Sequence, residues 1–166
     1  GLAGGIGVGI ATWLFARELL PPPHRWLAAL AVWPVSASVA LVHWSTAGLE
    51  TSVFVAFEVA ALASFAAGRM GWSVAFLLLG TATRLDGVLL AGVLLGFHLA
   101  PRWRQAGGAA WRPALVYVAV LAASFVLRFA CYESLLPNTW HAKVGGVPLG
   151  YGFAYVSSFL EAGAFW

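Results

Sequence analysis

The chain has 166 residues, of which 61% are hydrophobic and only 9% charged, with nine Lys and Arg against six Asp and Glu. Its mean hydropathy is +0.87. A water-soluble domain, in which about a quarter of the residues are charged, could not cover itself with so few, so the composition points to a membrane protein. The pI near 9.5 does not point to nucleic acid, because the basic residues form no stripe. They stand at the ends of apolar runs, as topology determinants do. The single cysteine, Cys131, excludes an internal disulfide. Gly1 falls inside an apolar stretch without a starting Met or a basic leader, and Trp166 ends as abruptly. No signal peptide is read there, and the chain is expected to be an internal piece of a longer protein.

In chain order, the first apolar run covers residues 2–20 and is closed by Pro21, Pro22 and Pro23. A second span is predicted over about 26–44 with a kink at Pro34. The polar stretch from Ser45 to Ser52 offers caps for a third span over about 51–67, which ends at Gly68-Arg69. The 29 residues from Trp72 to Ala100 are interrupted by Arg84, Asp86 and Gly87. Read as one helix, this stretch puts opposite charges at the bilayer centre and splits the Arg-rich connections between the two sides. Read as a pair, 72–83 and 87–100, it brings Arg17, Arg25, Arg69, Arg102, Arg104 and Arg112 to one side, as the positive-inside rule requires. Each half, roughly 18–21 Å at 1.5 Å per residue, is too short to cross alone. Broken or re-entrant segments of that kind line protein-enclosed or watery cavities. A further span is predicted over about 113–130, and another starts in 151–166. The fold class is therefore all-α, a polytopic transmembrane helix bundle in a single domain, with a short broken helix pair at 72–100.

This topology directs Glu50, the Arg84/Asp86 pair and the segment from Glu133 to Lys143 toward the non-cytoplasmic side. An intramembrane charge is a functional-site hypothesis by default, and a guanidinium binds phosphate through paired hydrogen bonds while staying charged. Arg84 and Asp86 are accordingly the first candidates, against the alternative of an ion pair that locks the turn. Glu50, at a helix start, is favoured there by the exposed N–H groups and the helix dipole alone. Glu58, two turns deeper, reads as structural. Asn138, Thr139 and Lys143 lie in a polar stretch after Pro137, and Arg128 either snorkels or reaches the cavity. His24, His43, His98 and His141 lack metal-ligand spacing. The sequence has no phosphate-binding P-loop, GxSxG or HExxH. Gly4, Gly5, Gly7 and Gly9 fall within an apolar span, where close helix packing accounts for them better than dinucleotide binding.

The order Gly48-Leu49-Glu50, then Arg84-Leu85-Asp86-Gly87, then Arg128, Tyr132 and the run from Leu135 through Pro137-Asn138-Thr139 to Lys143 resembles the polyprenyl-phosphate-dependent glycosyltransferases of the GT-C fold. The resemblance is to bacterial relatives of the mycobacterial terminal arabinofuranosyltransferase, and it covers about residues 45–155. Leu85 stands where that pattern has Pro, and Cys131 and Glu133 where it has Tyr and Gly. The resemblance implies a GT-C-like bundle in the bacterial inner (cytoplasmic) membrane with its site facing the non-cytoplasmic side. The implied reaction moves a sugar from a polyprenyl-phosphate donor to the hydroxyl of a glycan or lipid acceptor. Arg84, Asp86 and Glu50 would be catalytic, and Arg128, Tyr132, Asn138, Thr139 and Lys143 would bind substrate. The family's acidic base lies in an earlier loop that would precede Gly1, so the stretch alone is expected to be inactive. The cofactor is unknown: a divalent cation is compatible with Asp86, but no metal motif is present. The competing readings are a lipid or sugar transporter or flippase, in which broken helices also occur, and a non-catalytic membrane subunit.

Overall fold

A computed structural model describes residues 1–46, 50–102, 109–132, 153, 154 and 156–158. The described residues are helical, with no strand among them. The chain divides into two compact units, Gly1–Ala122 and Ala123–Trp166.

Helix α1 spans Leu2–Leu19. It stops because Leu20 precedes a proline and takes the extended conformation, φ −90° and ψ 140°, that such a residue is forced toward. The prolines open a 3₁₀ turn, Pro22–Leu27, since they need no backbone donor there. The predicted span over 26–44 is divided into α2 (Ala28–Ser36) and α3 (Val39–Thr46). The division has two local causes. Pro34, inside α2, deprives the carbonyl one turn back of its amide. Ser38 then starts a new helix, its Oγ accepting the Leu41 N–H at 3.4 Å.

Helix α4 (Thr51–Ala66) ends in a reciprocal backbone cap. Gly68, at φ +71°, donates its N–H to the Phe65 carbonyl at 2.9 Å, and Arg69 donates to Ser64 at 2.8 Å. This 6→1 and 5→2 pair needs a left-handed residue at its centre, which glycine supplies without a Cβ clash. Helices α5 (Met70–Thr83) and α6 (Gly87–Leu99) follow, separated by Arg84, Leu85 and Asp86. A short 3₁₀ turn, Ala100–Arg102, closes α6, and α7 covers Arg112–Tyr132.

Within the first unit, α1 packs chiefly on α4, and α4 packs on α5. The seams are made by small residues, which let helix backbones approach closely without a hydrophobic driving force. A Cβ on Gly4 would lie 2.7 Å from the Val53 backbone nitrogen, and beside it Ser52 Oγ donates to the Gly1 carbonyl at 3.2 Å. Ser73 Oγ donates to the Ala61 carbonyl at 3.0 Å between α5 and α4, in a buried setting. The apolar core joins Ala61, Val74, Leu77, Ala91, Leu94, Leu95 and Tyr117. Residues from both α5 and α6 meet in it, so the two helices share one core.

The outside is strongly apolar: Trp33 is 78% exposed, Leu89 72% and Leu127 65%. Ser52 and Ser73 are among the most completely enclosed side chains. Two helices, α1 and α7, are long and apolar enough to cross a membrane. Helices α4, α5 and α6 are apolar but shorter.

The α1–α4 seam is testable. Gly4→Ala should destabilise the protein by about 1–3 kcal/mol through overpacking, read as a lowered unfolding temperature in detergent. Gly71→Ala, whose added Cβ meets nothing within 4 Å, should leave that temperature unchanged or slightly raised.

Candidate functional site at the turn between α5 and α6

The turn is built by its own backbone. Arg84 takes an extended conformation, φ −147° and ψ 127°, which stops α5 while its N–H still reaches the Gly80 carbonyl at 2.9 Å. The chain then re-enters helix at once, with Gly87 N–H donating to the Arg84 carbonyl at 3.1 Å and Leu89 N–H to Asp86 at 3.0 Å. Asp86 occupies the N-cap position of α6, yet its side chain caps nothing. It accepts from Arg84 instead: Nε donates to Oδ1 at 3.1 Å and Nη2 to Oδ2 at 3.0 Å. Two parallel bonds hold the guanidinium plane in one orientation. They occupy the Nε edge and leave the other edge of the fork, with its remaining N–H donors, turned away from Asp86. The side chains are 37% and 50% exposed, so a further anionic or hydroxyl group can approach from outside.

Helix α4 supplies the other wall. The Arg84 guanidinium carbon lies 5.5 Å from the centroid of the Phe54 ring, a cation–π distance. Glu50, one turn earlier at the N-cap of α4, is exposed and makes no side-chain cap hydrogen bond. Its negative charge acts on Arg84 instead. Glu50, Phe54 and Glu58 recur every four residues and therefore share one face of α4. Glu58 is the deepest of the three. Its Oε1 is buried without a hydrogen-bond partner, and it sits where side chains are missing: a Cβ on Gly80 would be 2.6 Å from it, and one on Gly87 3.1 Å. The two glycines flanking the turn therefore form the recess that admits this carboxyl. Beneath it, Thr81 Oγ1 donates to the Leu77 carbonyl at 2.8 Å and lies 2.7 Å from Tyr117 Oη. A threonine hydroxyl has one proton, so Tyr117, only 3% exposed, is the donor in that second bond.

Of the residues singled out in the sequence, the structure pairs Arg84 with Asp86, and Glu50 stands one turn before Phe54, whose ring faces Arg84. Arg128 is half-buried and Tyr132 is 77% exposed, both near the end of α7 and both in the second unit. Asn138, Thr139 and Lys143 lie outside the described residues, as do Gly48 and Leu49. Phe54, Gly80, Thr81 and Tyr117 were not singled out in the sequence, and Glu58 was read only as structural. The spacing of four from Glu50 was the available signal for Phe54 and Glu58. Nothing local marks Tyr117, which reaches Thr81 from 36 residues away. Among the described residues, no group of three or more His, Cys, Asp or Glu side chains is arranged to hold a metal ion.

No family model, no curated protein and no solved structure matches the chain.

The buried Thr81–Tyr117 pair gives an ordered expectation. Tyr117→Phe removes one neutral hydrogen bond and should cost about 0.5–1.5 kcal/mol. Thr81→Val leaves the tyrosine hydroxyl buried and unpaired and should cost more, about 1–3 kcal/mol. Equilibrium unfolding in detergent checks the order; a larger loss for Tyr117→Phe would contradict the donor assignment.

Proposed function

We propose that the protein is an integral membrane glycosyltransferase that moves a sugar from a polyprenyl-phosphate donor to an acceptor hydroxyl on the non-cytoplasmic side of the bacterial inner membrane. The observation that carries this reading is the Arg84–Asp86 fork, with Glu50 beside it, at a break between two apolar helices. A site placed there meets lipid on its flanks and polar substrate at its open side. The apolar exterior and the polar residues enclosed within the helices (Ser52, Ser73, Thr81) suit a bundle solvated by lipid, in which polar groups must be satisfied internally.

The chemistry follows from the charges. Transfer forms a bond from the acceptor oxygen to the sugar's anomeric carbon as that carbon's bond to the phosphate oxygen breaks. The acceptor's proton passes to the carboxylate base that the resemblance puts before Gly1, and the electrons of the broken bond stay with the phosphate. Negative charge therefore grows on the leaving group, where a fixed cation stabilises the transition state more than the ground state. Arg84 supplies that cation through the edge that Asp86 leaves open. Asp86 is committed to Arg84 by two bonds, so its role is to aim the guanidinium rather than to take the acceptor's proton. Glu50, exposed at the mouth, is suited to hydrogen-bonding sugar or acceptor hydroxyls. Arg128, Tyr132, Asn138, Thr139 and Lys143 remain candidates for binding donor and acceptor. The same closed fork also favours a second reading, an ion pair whose only task is to hold the turn.

Sugar transfer from a polyprenyl-phosphate donor separates the two. In the full-length protein, Arg84→Ala should lower kcat by about 100- to 1000-fold while membrane insertion and unfolding temperature stay near those of the parent. Arg84→Lys keeps the charge but loses the fork, and should recover only part of the rate. Loss of folded protein with both variants, without a separable loss of transfer, would support the structural lock instead.

The topology is tested by labelling with a membrane-impermeant thiol reagent. Cysteines placed at Gly71 and Ala110 should react from one face and the native Cys131, exposed at the far end of α7, from the other. Opposite faces for Gly71 and Ala110 would exclude a returning α5–α6 pair.

A further inference from the structure

Glu58 takes no part in the chemistry of Arg84, yet it reaches deepest of the α4 stripe toward the turn. It enters a recess that exists because residues 80 and 87 are glycine. An added Cβ would come within 2.6 Å of its Oε1 at Gly80 and within 3.1 Å at Gly87. Backbone closes the recess as well: the position a Cβ on Gly87 would take lies 3.0 Å from the Thr81 nitrogen and 3.2 Å from the Gly80 carbonyl carbon.

The donors that border this recess are spent elsewhere. Gly87 N–H donates to the Arg84 carbonyl at 3.1 Å, and Arg84 N–H to the Gly80 carbonyl at 2.9 Å. Thr81 Oγ1 donates to the Leu77 carbonyl, and Tyr117 Oη donates to Thr81. The Arg84 guanidinium gives Nε and Nη2 to Asp86. Oε1 of Glu58 is accordingly buried without a hydrogen-bond partner. A carboxylate in such a place needs donors or a cation, and without them it takes up a proton instead. The charge that acts on it is that of Asp86, which is also negative and opposes a second anion nearby. Helix α5 has no titratable side chain, and Arg17, Glu18, His43 and His98 stand in the last turns of α1, α3 and α6. From α7 the group facing Glu58 is Tyr117, on which its charge acts in turn.

We propose that Glu58 is a proton-binding site of the bundle: a carboxylic acid held neutral at physiological pH, on whose proton the closed turn between α5 and α6 depends. With the proton in place, Arg84 and Asp86 cancel each other and no further charge enters the recess. When the proton leaves, an uncompensated negative charge stands against the backbone of Gly80 and Gly87, and the packing that excludes water there is lost. Sugar transfer does not enter, since Glu58 has no role in it. A neutral acid of this kind adds to a lipophilic carbodiimide. The carboxyl proton goes to one nitrogen, the carboxyl oxygen bonds to the central carbon, and acyl migration from oxygen to nitrogen leaves a stable N-acylurea. An ionised carboxylate lacks the proton for the first step.

The test uses the full-length protein in detergent, infrared spectroscopy and dicyclohexylcarbodiimide. At mildly alkaline pH, where ordinary carboxylates, which titrate at about 4, are ionised, the parent should show the C=O stretch of a neutral acid that Glu58→Gln lacks. The carbodiimide should consume that band. Peptide mass spectrometry should place the label on Glu58 about ten-fold above Glu50 or Asp86, which are ionised at that pH. Raising the pH further should remove band and label together. The unfolding temperature of Glu58→Gln should match the parent's at neutral pH and exceed it at high pH, where the parent has lost its proton. Absence of the difference band, or label spread evenly over the three carboxyls, would overturn the proposal. If Glu58→Gln does not fold, the parent decides alone: no label on Glu58, or label there that does not fall as the pH rises, would overturn it too.

Discussion

The extended backbone at Arg84, which lets Arg84 and Asp86 pair through two bonds, is the constraint around which the middle of the molecule is arranged. A charge inside an apolar bundle must meet a partner or a wet cavity, and this pair does both: each side chain neutralises the other and each keeps an open side. The pair can form because α5 stops at Thr83. Were the helix continuous, residues 84 and 86 would point about 200° apart around it, given 3.6 residues per turn, and the bidentate contact would be lost. The extended backbone at Arg84 brings the two side chains together, and α6 restarts at once from Gly87.

The turn imposes its own demands on the neighbouring helices. Two helices joined by so short a turn need small residues where they meet, and Gly80 and Gly87 fill that role. The space they leave is taken by Glu58 of α4, so a carboxyl sits where methyl groups would otherwise be. Phe54, one turn from Glu58 on the same face, lies under the guanidinium of Arg84. The wall of the site is thus a single stripe of α4, Glu50–Phe54–Glu58, and its orientation is secured on the other side by the glycine seam with α1. Packing and site are therefore one problem: shifting α1 against α4 would turn that stripe relative to Arg84.

Apolar side chains cover both the buried and much of the exposed surface of the helices. Serine and threonine hydroxyls are enclosed and bonded to carbonyls between or within helices (Ser73 to Ala61, Thr81 to Leu77), while Trp, Leu and Val cover much of the exterior. Ser45 departs from this pattern as an enclosed hydroxyl without a bond, set against Gly5 in the seam between α1 and α3. The turn and the groove between α1, α2 and α3 thus offer two different environments, one charged and partly open, the other almost wholly apolar.

Much of this organisation was legible in the amino-acid sequence. The scarcity of charge, the triple proline after α1, the glycine that ends α4 and the interruption at Arg84-Leu85-Asp86 are each local features, and local features act through backbone sterics and hydrogen bonding that a sequence displays directly. The division of residues 26–44 was only half legible: Pro34 marked the disturbance, but the restart depends on Ser38 capping the next helix. Tertiary structure alone decided which residues meet across helices. No local pattern ties Tyr117 to Thr81, Glu58 to the recess made by two distant glycines, or Ser45 to Gly5, because those contacts depend on how the helices cross. Glu50 shows the difference most plainly: its sequence position makes it a helix cap, and only the packing of α4 beside the turn directs its charge to Arg84.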